Sequence, residues 1–450
     1  MSRPSVAGWG RTPSSTARVL RPARADQVVE MVTDPGRRGL IPRGLGRSYG
    51  DPAQNAGGTV LDMTGLSGIT AFDRNAGTVT ALGGTSLGAL MRWLIPEGWF
   101  VPVTPGTRHV TVGGAIANDI HGKNHHVVGS WGRHVSAMTL ATPGRGVLTV
   151  TPTSEPDLFW ATIGGIGLTG VIVDATFSLH PIATSSIVAD TDKTRTAEAV
   201  MDLMTSGDAD YEYSVAWIDL SSTGSKLGRS VLERGRFAEV DELPSEKQQD
   251  PLAYEPRELL TMPVVAPRGL LNPLAVKALN EAWYLKSPRK RRGRLLTIPW
   301  YFHPLDMFRH WNRGYGPAGL LQWQVVVPLG EEETLHRVIA ELAATQVASI
   351  VNVLKRFGPG DPGFLSFPRE GWTLSVDLAA EVTRAAVVLD RIDRWVLEAG
   401  GRHYLAKDSR MRPETFAAGY PRLAEFEAVR ATVDPDRVLR SDLARRLGLA

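Results

Sequence analysis

Apolar and polar positions alternate in two long stretches, YEYSVAWIDL (211–220) and LLQWQVVVPL (320–329). A period of two is what a strand shows when it buries one face. A spacing of three to four residues runs instead through SLGALMRWLIPEG (86–98), EEETLHRVIAELAAT (331–345) and AEVTRAAVVLDRIDRWVLEAG (380–400), and predicts helices with one apolar stripe. Near the start, ARVLRPARADQVVEMVTDP (17–35) reads as a strand and then a short amphipathic helix beginning near Asp26. Short β-like runs follow at TVLDM (59–63), GTVTALGG (77–84) and MTLATPG (138–144). A helix is expected at SEPDLFWATIGG (154–165), and a strand at VIVDATFSLHP (171–181).

The pattern changes near Pro181. Before it, short elements alternate with glycine-rich loops; after it, longer strands are followed by helices. This predicts an α+β chain of two domains, the second built on an antiparallel sheet with flanking helices. The first is expected to begin as residues 1–185 and the second to span 186–401. Residues 255–300 fit neither pattern. They hold several prolines, the apolar runs LLTMPVV and GLLNPLAV, and a basic run of Lys286, Arg289, Lys290, Arg291, Arg292 and Arg294. The expectation is a long, irregular, flexible excursion, and loops of that length are uncommon unless functional or disordered.

Composition narrows the chemistry. The chain of 450 residues has no cysteine, which excludes disulfides, thiolate zinc sites, iron–sulfur clusters and cysteine nucleophiles. A net charge of +3 is small for this length and does not call for nucleic acid. The basic run is short and lacks interleaved aromatics, so nucleic acid is not expected there either. No stretch is apolar enough for a membrane span, and MSRPSVAGWGRTPSS lacks the apolar core of a signal peptide. The expectation is a soluble or peripheral protein.

Three glycine-rich stretches lie in the first domain: IPRGLGRSYGDPAQNAGG (41–58), TPGTRHVTVGGAIANDIHGKNHH (104–126) and GGIGLTG (164–170). Glycine lets backbone approach a ligand and point N–H groups at phosphate. One such stretch commonly just makes a turn; three in one domain ask for a large phosphate-bearing ligand. Gly165-Ile-Gly167-Leu-Thr-Gly170 matches the spacing of a dinucleotide fingerprint. That fingerprint must follow a strand and open a helix, whereas here a helix is expected before it and a strand after it. A Rossmann site for NAD is therefore rejected. His121 and His125 have the four-residue spacing of a helical metal pair, but the glycines beside them disfavour a helix and no third ligand stands out, so no metal is expected.

The wording and order of the glycine stretches resemble the FAD-binding domain of the vanillyl-alcohol-oxidase superfamily. Over the whole chain ARVL, RGLGRSYGDPAQN, PGTRHVTVGGAIANDIHGKNHH, LFWATIGGIGLTG, HPLDMF, WNRGYGPAG, LQWQ, NVLKRFGP, LSFPREGW, LAKDSR and SDLARRL follow in the order seen in one family within it, the FAD-dependent decaprenylphosphoryl-ribose 2′-oxidases. The resemblance implies that residues 402–450 return to the FAD-binding domain. It implies oxidation of the 2′-hydroxyl of a ribofuranose carried on a polyprenyl phosphate to a 2′-keto sugar. A separate NADH-dependent reductase would then complete epimerisation to the arabinose donor for cell-wall arabinan. It also implies work at the membrane surface, peripheral to the plasma membrane.

The same resemblance assigns the site. FAD would be held by Arg43, Gly44, Leu45, Gly46, Arg47, Ser48 and Tyr49 of the first stretch. Pro105, Gly106, Thr107, Thr111, Val112, Gly113, Gly114, Ala117, Asn118, Ile120, His121 and Gly122 would hold it from the second. Gly167, Gly170, Val171 and Ile172 come from the third, and Tyr404, Ala406 and Lys407 from the C-terminal segment. Arg47 stands where covalent members often carry histidine, so the FAD is expected to be non-covalent. Lys407 and His121 are the implied catalytic residues: Lys407 contacts the sugar hydroxyl or compensates flavin charge, and His121 contacts flavin or sugar. The substrate pocket would draw on Tyr49, Trp217, Gln322, Gln324, Asn352, Lys355, Phe357, Thr373 and Ser375. Gln322 and Gln324 alternate on a strand and can share a face, with Trp323 turned to the core. Ser375 stands where much of the family has the cysteine that nitroaromatic inhibitors bond, and Thr373 where asparagine is frequent. Two other readings remain open: an alditol or sugar-lactone oxidase of the same fold, and a non-catalytic flavin- and lipid-binding protein.

Overall fold

The computed structural model describes residues 4–347, 350–380 and 384–450. The predicted helix at 380–400 therefore begins in part outside the described residues, and its described body is Arg384–Glu398.

The architecture is α+β. In the first part, a strand–helix–strand unit runs Arg18–Leu20, Ala25–Thr33, Leu40–Arg43. Its two strands flank Thr59–Asp62 in a parallel three-stranded sheet. The helix forms because Val28 and Val32 recur at helical spacing, and both are buried. Beside it lies a five-stranded antiparallel sheet in the order Gly146–Val150, Val135–Thr142, Val171–Ser178, Thr78–Leu82, Ile69–Asp73. The residues after Arg402 share the core of this part: Leu405, Phe416, Tyr420, Phe426, Leu439 and Leu443 pack with Val28, Leu40, Ile41 and Val60. An isolated parallel bridge joins Leu40 to Leu439.

Between these segments is an eight-stranded antiparallel sheet. Its order is Lys290–Thr297, Ser186–Thr194, Ser230–Phe237, Tyr213–Ile218, Asn352–Phe357, Gly371–Ala379, Leu320–Val327, Arg402–His403. Helices Ala197–Gly207, Glu332–Thr345 and Arg384–Glu398 cover one face. The period-two pattern explains why. Trp323, Val325, Leu354, Leu374 and Val376 enter the helix-side core with Val338, Leu342 and Ile392. The residues between them face the first part of the chain.

Two local outcomes bear on the sequence reading. The helix Pro156–Thr162 precedes the GIGLTG stretch and the strand Val171–Ser178 follows it, the reverse of a Rossmann arrangement. Residues 255–300 are less irregular than expected. They contain a two-residue strand Leu260–Thr261, the helix Pro273–Lys286 and the edge strand Lys290–Thr297. The basic run hid the last of these because its first five residues, 290–294, are all exposed and carry no alternating apolar signal. Charged residues on an edge also discourage pairing with another chain.

Candidate active site

A cavity of about 1170 Å³ lies between the first part of the chain and the helix-free face of the large sheet. Its floor is the three glycine stretches. Arg43, Gly44, Leu45, Gly46, Arg47, Ser48 and Tyr49 all line it. The turn is possible because Gly46 adopts φ +64°. Arg43 shapes the loop from within: its guanidinium donates to Ala7 C=O at 2.7 Å and Ala53 C=O at 3.1 Å. Arg47 lies over the Trp9 ring at 3.9 Å, and its buried Nε has no partner among the described residues. Tyr49 N–H is already given to Ala406 C=O at 2.9 Å, which ties the loop to the C-terminal segment.

The second stretch contributes Pro105, Gly106, Thr107, Thr111, Gly113, Gly114, Ala117, Asn118, Ile120, His121 and Gly122 to the wall. Thr111 caps the short helix Val112–Ala117 by accepting from Gly114 N–H. Val112 itself points away, fully buried in the hydrophobic core, because it is the apolar anchor of that helix. The third stretch lends Gly167, Gly170 and Ile172. Val171 turns into the core, since strand neighbours alternate faces.

Tyr404, Ala406 and Lys407 close one side. Tyr404 donates to Asn118 C=O at 2.8 Å and stacks on Phe367 at 4.6 Å. Lys407 Nζ lies 4.2 Å from the centre of the Tyr49 ring.

The sheet supplies Trp217, Gln322, Gln324, Lys355 and Ser375. Gln322 and Gln324 share the cavity face, and Trp323 between them packs among the helices. Three residues assigned to the substrate pocket do not line it. Asn352 is on the wrong parity: Val353 and Lys355 face the cavity, while Asn352 shares the face of the helix-packed Leu354. Phe357 is buried behind His121, at 4.7 Å between ring centres. Thr373 also sits behind the wall, where it accepts from Gln324 Nε2 at 3.1 Å and donates to Val325 C=O at 2.8 Å.

His121 is the centre of a polar cluster. Its Nδ1 is 3.0 Å from Lys355 Nζ and its Nε2 is 3.0 Å from Gln324 Nε2. Burial, with Lys355, His125 and Lys407 nearby, holds the ring well below the usual imidazole range, so it is neutral. Burial and the Lys407 charge push Lys355 down to about 7. Burial pushes Lys407 down to about 8, against the pull of Asp377.

Sequence reasoning missed several wall residues. Lys123 follows Gly122 directly and donates to Tyr301 C=O at 2.5 Å. Asp377, buried just behind the wall, stands two residues beyond Ser375 on the same sheet face, so the strand period could have found it. Leu279, Trp283, Trp300 and Phe308 line the mouth and are 49%, 52%, 55% and 43% exposed. Leu279, Trp283 and Trp300 fall in the region read as irregular, where no period singled them out, and Phe308 ends the HPLDMF run just beyond it.

The residues fit FAD. The cavity is long enough to run past all three glycine stretches. Among the described residues, no hydrogen bond within the chain engages the N–H groups of Leu45, Gly46, Arg47 and Ser48, a run suited to phosphate oxygens. A side chain at Gly106 would meet open space rather than protein, and the buried Oδ1 of Asn118 has no partner among the described residues.

Comparison with known proteins agrees. Residues 16–151 match the family model described as an FAD binding domain, and residues 331–447 match that of D-arabinono-1,4-lactone oxidase. The decaprenylphosphoryl-beta-D-ribose oxidase of Mycolicibacterium smegmatis is 46% identical, over 98% of this chain and 97% of that protein. An "uncharacterized protein in mprA 5′region" of Streptomyces coelicolor is 39% identical, over 81% of this chain and all of that one. The L-gulono-1,4-lactone dehydrogenase of Mycobacterium tuberculosis is 24% identical, over 99% of each.

Proposed function

Because the chain belongs to the decaprenylphosphoryl-β-D-ribose oxidase family of FAD-dependent oxidoreductases, we propose that it oxidises the 2′-hydroxyl of a polyprenylphosphoryl-β-D-ribofuranose to the 2′-keto sugar. One observation carries this reading. The glycine stretches, Lys407 and the His121–Lys355–Gln324 cluster face one cavity, and that cavity opens through a mouth of exposed Trp and Leu side chains.

FAD, when bound, supplies the two-electron acceptor for the C2′ hydride. It is held without a covalent link, since no cysteine exists and Arg47 occupies the position implied for the linking histidine. The chain's own residues do the rest. The first-stretch N–H groups and Arg47 take the phosphates. Lys407 places a positive charge beside the Tyr49 ring, where it contacts the sugar hydroxyl or offsets charge that builds on the cofactor. Neutral His121, fixed between Lys355 and Gln324, orients the sugar and takes part in moving the hydroxyl proton. Trp217, Gln322 and Ser375 complete the wall around the sugar. The polyprenyl chain lies along Leu279, Trp283 and Trp300, where a small soluble polyol would leave apolar surface wet.

The proposal extends to organisation and partners. Residues 1–185 and 402–450 form the FAD-holding unit around the inserted substrate unit 186–401. The keto product needs a hydride on its opposite face, and among the described residues the GIGLTG stretch has no Rossmann arrangement for a nicotinamide, so a separate NADH-dependent reductase takes it on. Among the described residues no helix is long and apolar enough to cross a membrane. The apolar mouth and the basic strand Lys290–Thr297 instead favour peripheral attachment to an anionic plasma-membrane leaflet.

The test is anaerobic titration of the flavin-loaded protein with a short-chain polyprenylphosphoryl-β-D-ribose. Loss of the oxidised-flavin band near ~450 nm is the expected result. A band that persists with this sugar but bleaches with xylitol or a sugar lactone overturns the substrate assignment in favour of an alditol or lactone oxidase. A band that no substrate bleaches points to a non-catalytic flavin protein.

A further inference from the structure

Gln322 and Asp377 are directly opposed in the antiparallel pair of Leu320–Val327 with Gly371–Ala379. Opposed residues on one sheet face come within side-chain reach. Gln322 Nε2 donates to Asp377 Oδ1 in a very short contact, and the Tyr315 hydroxyl donates to Asp377 Oδ2 at 3.3 Å. Asp377 is fully buried behind the wall, while Gln322, 8% exposed, forms part of it. The Oε1 of Gln322 is buried and has no partner among the described residues.

A carboxamide has two nearly isosteric ends, and only its partners decide which way it turns. Once ionised, above about pH 7, the buried Asp377 carboxylate can only accept, so it selects the N–H end, and its charge strengthens the choice. The carbonyl end is then the end left for a ligand. An alcohol positioned for oxidation is a hydrogen-bond donor, and an acceptor fixed in advance holds it without the loss of a free rotor. We propose that Asp377 is a positioning residue that fixes the Gln322 amide with its carbonyl oxygen offered to a hydroxyl of the sugar. This deepens the functional reading above and rests on it.

Asparagine at 377 keeps the shape but offers both a donor and an acceptor, so it no longer dictates the sense of the amide. The test compares wild type, Asp377→Asn, Gln322→Ala and the double variant with short-chain polyprenylphosphoryl-ribose. Each single change should lower kcat/KM roughly tenfold, the worth of one ordered hydrogen bond. The double variant should be no worse than Gln322→Ala alone, because Asp377 acts through Gln322. Flavin content and thermal midpoint of Asp377→Asn should match wild type. Losses that multiply in the double variant, or an Asp377→Asn defect that follows lost flavin or a lowered midpoint, overturn the proposal. A wild-type chain that leaves the sugar untouched overturns the functional reading and this inference together; multiplied losses in an active chain overturn the inference alone.

Discussion

Ser375 sits on the cavity wall opposite Gln324, and its hydroxyl is a far weaker nucleophile than a thiolate at neutral pH. Wild-type protein given a nitroaromatic inhibitor of this family and allowed to turn over should show no mass increase. Ser375→Cys should gain one inhibitor adduct by intact-mass spectrometry while keeping turnover within a few-fold. Lys355 gives a pH signature. Its folded value of about 7 lies below the ordinary lysine value, so the unfolded chain binds more protons between about 7 and 10.5. Stability should therefore rise with pH across that window. Lys407 acts in the same direction from about 8, whereas Asp377, pushed up to about 7, costs stability as pH rises towards 7. Thermal midpoints of Lys355→Met should climb less steeply than wild type above pH 7, and an unchanged slope would remove Lys355 from the account.

Elements carry the next set of constraints. Gly50 ends the first loop where a Cβ would strike the carbonyl of Asp408 and the backbone of Ser409. Both obstacles are main chain in the turn that presents Lys407, so neither can swing away. Gly50→Ala should cost about 1–3 kcal/mol in denaturant unfolding and weaken flavin retention. The strand Lys290–Thr297 exposes Lys290, Arg291 and Arg294 at the sheet edge. Changing these three to Ser should weaken sedimentation with anionic vesicles and leave flavin binding intact, at about 1 kcal/mol per charge near the surface. Binding that does not change would place membrane contact elsewhere. The helices and central strands were legible because their signal is local: one buried stripe or one buried face. The basic edge strand was not, its exposed residues 290–294 having no buried face to announce it. Asn352 and Asp377 show the same rule at single residues. Period two, counted from Lys355 or Ser375, would have excluded the first and included the second.

At the scale of the molecule, the least legible feature is the joining of distant segments. Arg446 donates to both oxygens of Asp51 at 2.8 and 3.1 Å, and to Asp408 at 2.8 Å. It thus ties the first glycine loop, the Lys407 turn and the helix Asp442–Arg446 at one point. No periodicity links such residues; only the folded geometry does. Arg446→Met leaves two largely buried carboxylates without their cation and should destabilise the protein by about 3–5 kcal/mol. Calorimetry would measure the loss, and flavin should dissociate more readily from the variant.

The pairing of Leu40 with Leu439 and the clamp at Arg446 also set an order of events in synthesis. When the glycine stretches leave the ribosome, the side chains that brace them have yet to be translated. The entire eight-stranded sheet must be made first. The cofactor cradle is therefore finished only after chain elongation passes the residues around 446, and flavin capture becomes a late step that waits on synthesis of the large sheet and of the segment that braces the glycine loops.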